Sequence, residues 1–331
     1  MKKLFLFILS FGFLQLQAQF YNGNFYSYSF QNMASPVKWY EENTRLKNAG
    51  IKEVIEYAKD NKSGEYYPVN TYELNETGRI FHYKQFKKKG TQLKLQIFCD
   101  FQNNVLSEMR AQKSSGDTIY LTRYQYQNKR EVSRSYFKKN QLKTPEWKLE
   151  NQYNDSGKLI MSQSFNNGKL NYRYEYDFYP NGSKKETRYF NGKNKLKYRY
   201  TYECDPKGEL ENKEVKNRNY CVKKEEKNDG SYMEISEYKN EKGKVTKYIR
   251  HYTADSLLSL SEYFNYKGEL NFKTAYQYND NKQITMVENS NKKGIMSISI
   301  FDYDSQGLFA NGKRLNRKGK VTYQWRFEYK K

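Results

Sequence analysis

A turn-forming residue returns about every 12–13 residues along most of this chain, and that spacing restricts the fold more than any other feature. The markers run from Gly64, Gly78 and Gly90 through Gly157, Gly168 and Gly182 to Gly294, Gly307 and Gly319. Asn103-Asn104, Asn128, Asn140, Asn219 and Asp255 occupy the same role. Between the markers, residue character alternates with a period of two. Leu170, Tyr172, Tyr174 and Tyr176 alternate with Asn171, Arg173 and Glu175, and Leu196, Tyr198, Tyr200 and Tyr202 with Lys197, Arg199 and Thr201. Such alternation puts aromatic rings on one face of a strand and charges on the other. Asn-Gly at 167–168, 181–182 and 191–192 suits tight hairpins that need positive φ. No helix-length connection separates the strands. The expected fold is all-β: an antiparallel meander of about 20 strands built from hairpin repeats, either an open single layer or a superhelically curled sheet. One short N-terminal helix precedes it.

Three segments divide the chain. Residues 1–19 read as a secretory signal peptide: Lys2-Lys3 supply the positive start, Leu4 to Leu14 the apolar run, and cleavage falls near Ala18 or Gln19. That run is shorter than the roughly 20 residues a membrane span needs, so no span is expected and the mature chain is exported. Residues 20–50 form an N-terminal segment in which Ser35-Pro36 resembles a helix cap, Val37 to Ala49 has helical composition and Gly50 is a stop. This helix is expected to cover the first edge of the sheet. Residues 51–331 are the β-repeat array. Pro145 interrupts its pattern between Gln141 and Asn151, where a bulge, an irregular edge or a break between sub-arrays is expected. Cys99, Cys204 and Cys221 are too few for a disulfide framework. With a whole strand between them, Cys204 and Cys221 would lie beyond bonding reach, so three free thiols are expected.

Several repeat units carry an aromatic residue, then Asn or Asp, then Gly and an aliphatic: Tyr153-Asn154-Asp155-Ser156-Gly157-Lys158-Leu159 and Tyr303-Asp304-Ser305-Gln306-Gly307-Leu308. This pattern resembles the YD repeat of RHS-type bacterial surface and secreted proteins. Phe165-Asn166-Asn167-Gly168-Lys169-Leu170 and Phe190-Asn191-Gly192-Lys193 also resemble the related MORN-variant repeats, found in proteins often described as antitoxin-like. The resemblance covers residues 51–331 and implies a β-repeat scaffold and export. It does not imply a particular reaction.

Chemistry is sparse. His82 and His251 stand far apart in Tyr- and Lys-rich strands, and no Cys-x-x-Cys, phosphate-binding loop or nucleophile motif occurs. No cofactor, metal or catalytic residue is expected. What remains is charge. The chain carries 59 Lys and Arg against 37 Asp and Glu, a net +22, with 34 Tyr. Basic and aromatic composition is the footprint of polyanion recognition, and export replaces intracellular nucleic acid with acidic polysaccharide or another envelope polyanion as partner. The candidate binding residues are Arg173, Lys197 and Arg199 with Tyr172, Tyr174, Tyr198 and Tyr200. The expected function is a secreted, non-enzymatic scaffold or binding protein. An antitoxin-like module with a protein partner, and a polysaccharide-active enzyme using paired carboxylates, are the alternatives.

Overall fold

In a computed structural model, which describes residues 39–139, 141–202 and 216–331, the described residues form one helix and a single 21-stranded sheet. The helix α1 is Trp39–Asn48. The first strands are β1 Glu53–Lys59, β2 Tyr66–Leu74, β3 Ile80–Lys87, β4 Gln92–Gln102, β5 Val105–Lys113, β6 Thr118–Gln127 and β7 Arg130–Lys138. Then come β8 Trp147–Tyr153, β9 Leu159–Asn166, β10 Lys169–Phe178, β11 Lys184–Asn191, β12 Leu196–Thr201, β13 Lys216–Glu226 and β14 Tyr232–Lys239. The last seven are β15 Val245–Tyr252, β16 Leu258–Phe264, β17 Leu270–Tyr278, β18 Ile284–Asn291, β19 Gly294–Tyr303, β20 Phe309–Asn316 and β21 Val321–Lys330. Residues 1–19, read as a signal peptide, and Asn140 and Cys204 lie outside the described residues.

Each strand pairs with its neighbours in sequence, and β1 also pairs with β21 in register from Glu53↔Lys330 to Ala58↔Trp325. The meander therefore curls until its first and last strands meet. That pairing satisfies the edge backbone groups that would otherwise invite aggregation. The helix does not cover the edge, as the sequence suggested; β21 does. Instead α1 ends in a tight stop, with Gly50 N–H donating to Lys47 O and Ile51 N–H to Leu46 O, both at 2.9 Å, and Gly50 at φ +70°. This reversal sets Leu46 against Ile51 in the apolar cluster that includes Val54, Tyr72, Leu74 and Ile97.

Strict alternation of direction closes a ring only with an even number of strands. With 21, one neighbouring pair must run parallel, and it is β12 with β13, from Tyr198↔Lys216 to Thr201↔Asn219. The sequence reading placed a turn at Asn219 and an antiparallel strand before it; Asn219 lies inside β13 instead. The free-thiol expectation changes at the same place. Cys221 is disulfide-bonded, its partner lying outside the described residues, while Cys99 is free and buried. At Pro145 the sheet does not break: residues 141–146 form a loop, and β7 pairs β8 over the short stretch Ser133–Tyr136.

The repeat motif has a local cause. In the loop at 304–308, Asp304 N–H donates to Leu308 O and Gly307 N–H to Asp304 O. The Asp304 carboxylate accepts from Gln306 N–H and Leu308 N–H at 2.9 and 2.8 Å. Asn75, Asn191, Asn240, Asn265 and Asn316 close their loops in the same way. The fourth loop position takes positive φ, which explains its Gly at 157, 243, 268, 307 and 319. At 191–195 that position is Asn194 (φ +59°), so Asn191-Gly192 opens the loop and is not its tight pair. Asn167-Gly168, by contrast, has both residues at positive φ, as its sequence predicts.

A tyrosine near the end of a strand is a latch. Tyr278, Tyr303 and Tyr329 donate their hydroxyls to the carbonyls of Leu258, Ile284 and Phe309, at 2.8, 2.9 and 2.6 Å. Each bond ties the last turn of one strand to the start of the strand before it. Register shifts occur in most pairings, as between Asp302 and Tyr303; such bulges raise local twist and curl a sheet. Small residues make room for large ones across the pairs. Ser164 faces Tyr172, Ser162 faces Tyr174, and Thr187 faces both Tyr176 and Tyr200. At Gly312 an added Cβ would lie 2.4 Å from the Trp325 indole, so the ring occupies the space a side chain would take.

Candidate functional site

The strands β10, β11 and β12 carry every residue proposed from sequence as a binding contact, and they divide them between two faces. Tyr172, Tyr174, Tyr189, Tyr198 and Tyr200 form a continuous ladder with ring centroids 5.1–6.3 Å apart. Tyr174 and Tyr200 are 7% and 3% exposed. Burial raises the pKa of Tyr172, Tyr176 and Tyr189, so these phenols stay protonated. The ladder is packed against itself, and its buried rings are sheet structure.

Arg173, Lys197 and Arg199 stand on the other face. Arg173 lies 4.2 Å over the Phe190 ring and 2.9 Å from Glu175. Arg188 bridges Glu175, Asp177 and Glu186 at 3.1, 2.7 and 3.0 Å, and Glu186 in turn approaches Arg199 at 3.5 Å. Glu175, two residues along the same strand, thus compensates Arg173, Glu186 on the neighbouring strand compensates Arg199, and Lys197 sits half-exposed beside them. Sequence alternation separates the two faces and sets Arg173 beside Glu175 on one of them; it does not reveal that Arg199 is already paired, because that pairing depends on cross-strand register.

The histidines are also engaged. His82 Nδ1 meets Glu73 at 3.2 Å and its ring stacks on Phe98 at 4.2 Å, while His251 Nε2 meets Glu262 at 3.2 Å. Among the described residues the most buried acid is Glu56, which accepts from Asn70 Nδ2 at 2.6 Å and from the Tyr72 hydroxyl at 2.9 Å. Burial raises its pKa, and those two hydrogen bonds oppose the rise. A cleft of about 410 Å³ near the 227–231 and 253–257 loops is lined by the stacked pair Tyr232 and Tyr252, with Lys227, Asp229 and His251. Asp229 is the one carboxylate lining it, held by Ser231. Among the described residues no group of three or more His, Cys, Asp or Glu is placed to hold a metal, and no helix is long and apolar enough to cross a membrane.

The loop charge is divided unequally between the two ends. Because successive strands reverse, alternate loops share an end. One end holds the loops that follow β1, β3, β5, β7, β9, β11, β14, β16, β18 and β20; they contain 15 Lys and Arg against 6 Asp and Glu. The described loops of the opposite end, after β2, β4, β6, β8, β10, β13, β15, β17 and β19, contain 5 against 6. At the basic end Lys89 is tied to Asp60, whose carboxyl is held at about 2 chiefly by that bond. Lys292, Lys293, Arg317, Lys318 and Lys320 are exposed. The sequence shows the total charge and not which loops share an end. The available signal was the parity of the turns: the Lys-rich markers at Gly90, Asn140 and Gly192 are separated by turns that belong to the other end.

No family model matches the chain, and no curated protein is similar to it. Among solved structures, a porin-like protein from Bacteroides uniformis is 8% identical with a TM-score of 0.28, over 85% of this chain and 98% of that one. A porin-like protein from Bacteroides vulgatus is 9% identical with a TM-score of 0.26, again over 85% and 98%. A Photorhabdus luminescens Tc holotoxin pore is 8% identical with a TM-score of 0.25, over 81% of this chain; the chain spans 18% of that one.

Proposed function

We propose that this chain is an exported, non-enzymatic β-repeat scaffold that binds acidic polymers of the cell envelope through the lysine-rich loops at one end. The observation that carries the reading is the unequal division of loop charge, 15 cations against 5 between the two ends. Charge serving only solubility has no reason to gather at one end. Gathered there, it produces a local positive field that steers and holds polyanions. The buried tyrosine ladder and the paired arginines of β10–β12 act as the rigid support behind it. The reading of residues 51–331 as a YD-like repeat belongs with this proposal, because the Tyr and the Asn or Asp of the repeat both have structural roles and leave the other loop positions open to selection. A disulfide at Cys221 fits an oxidising compartment, as export requires.

The test is binding of the purified mature chain to isolated cell envelopes, and to a soluble acidic polysaccharide, in salt raised from roughly 0.05 to 0.5 M, where screening shortens from over 10 Å to about 4 Å. Binding that is lost across this range supports the reading. Absence of binding to either at low salt contradicts it.

A further inference from the structure

The basic end carries a second kind of exposed residue. The large hydrophobic residues exposed on the described surface are Phe81, Leu142, Val222, Val245, Tyr266, Ile295 and Met296. Five of these seven belong to the basic end: Leu142 in the loop after β7, Val245 opening β15, Tyr266 in the loop after β16, and Ile295 and Met296 opening β19. They are 37–51% exposed. Four of the five fall on one arc, the successive basic-end loops after β14, β16, β18 and β20 and the strand starts beside them. The same loops hold eight Lys and Arg against Glu241 and Glu269. Loops that share an end stand two strands apart, about 10 Å, so the arc is about 30 Å long. Within it the Lys244 ammonium lies 4.2 Å over the Tyr266 ring.

We infer that this arc is a membrane-docking face for anionic phospholipid headgroups. Lys292, Lys293, Lys318 and Lys320 meet the phosphates, and Val245, Tyr266, Ile295 and Met296 enter the headgroup layer. The inference rests on the polyanion-binding reading and adds what the apolar residues are for. A hydrated polysaccharide offers cations their counter-charge but gives exposed Val, Ile and Met no apolar medium. A lipid surface offers both, and interfacial protein segments pair basic with apolar and aromatic side chains for that reason. The face docks on the bilayer and does not cross it. The strands behind it carry the Glu262, Lys273 and Lys313 charges that a lipid-spanning wall would have to bury.

The experiment is co-sedimentation of the whole mature chain with vesicles of phosphatidylcholine alone and of phosphatidylcholine mixed with phosphatidylglycerol. A soluble acidic polysaccharide is run in parallel. Three variants are compared: Lys292→Glu/Lys293→Glu/Lys318→Glu/Lys320→Glu at the basic end; Lys129→Glu/Lys227→Glu/Lys282→Glu/Lys331→Glu as a charge-matched control; and Val245→Ser/Ile295→Ser/Met296→Ser. All these residues are exposed, and thermal unfolding followed by circular dichroism checks that each variant is folded. Wild type should bind the mixed vesicles and not the neutral ones. The basic-end variant should lose binding at least about tenfold, given the attraction of each surface lysine to an anionic bilayer. The control should bind like wild type. The apolar variant should bind vesicles more weakly and the polysaccharide unchanged. Binding to polysaccharide without binding to mixed vesicles overturns the lipid inference and leaves the polyanion reading intact. Binding to neither overturns both. Vesicle binding that is equal in all three variants overturns the assignment to this arc.

Discussion

Two successive loops near the end of the chain share one backbone and differ in everything else. At 304–308, Asp304 accepts from Gln306 N–H and Leu308 N–H; at 316–320, Asn316 accepts from Lys318 N–H and Lys320 N–H, at 2.9 and 3.1 Å. Both place Gly at the fourth position with φ near +74°. The first loop sits at the neutral end and sends Leu308 into the core, where it is 5% exposed. The second sits at the basic end and presents Arg317, Lys318 and Lys320 to solvent. The hydrogen-bonding residue and the glycine are sufficient to make the turn. The remaining positions are therefore free, and the fold spends them on a core at one end and on charge at the other.

The sharpest way to separate the ends is by stability. Ile97 is 0% exposed and belongs to the cluster that Leu308 joins. Ile97→Ala should cost about 3 kcal/mol in chemical denaturation, the scale of a buried large-to-small change. Next come the loop acceptors. If the two loops share one architecture, Asp304→Ala and Asn316→Ala should each cost about 1 kcal/mol, the range for losing a side chain that satisfies backbone N–H groups. A large inequality between them would break the equivalence of the ends. The tyrosine latch comes next, with Tyr303→Phe expected to cost about 1 kcal/mol through the orphaned Ile284 carbonyl.

A pH comparison isolates Glu56. Its folded-state pKa is raised above the ordinary 4.5 by burial, so the folded state holds its proton more tightly than the unfolded chain. The associated stability is complete below that ordinary value and is lost as pH rises through the raised one. Glu56→Gln should therefore gain in thermal midpoint over wild type as pH goes from acid to neutral, with the gain vanishing below the ordinary value. A constant difference across pH would contradict the burial assignment. Smallest of all, the four-lysine reversal at the basic end should change stability by less than about 0.5 kcal/mol, because exposed charges contribute little to folding.

Much of this architecture can be read from the residues. The turn positions, the two-residue alternation and the helix stop at Gly50 are local, and local chemistry fixes them. Three features are not local. The parallel pair β12–β13 follows from closing an odd number of strands, a property of the whole ring, and it moved Asn219 from a turn into a strand. The neutralisation of Arg199 depends on which carboxylate register brings alongside, Glu186 on the neighbouring strand, whereas Arg173 meets Glu175 two residues along its own strand. The basic end exists only once alternate loops are known to share it. The sequence carries +22 in total; direction of travel along each strand decides at which end the loop part of it stands.

The central claim is that position, and not net charge, makes the binding surface. It is tested most directly by salt elution from an immobilised acidic polysaccharide, comparing wild type with the four-lysine reversal at the basic end and its charge-matched control at the other. The account predicts that the control elutes near wild type and that the basic-end variant elutes at much lower salt. Equal shifts for the two variants would mean that the whole molecule's charge does the binding, and the assignment of function to one end would be wrong.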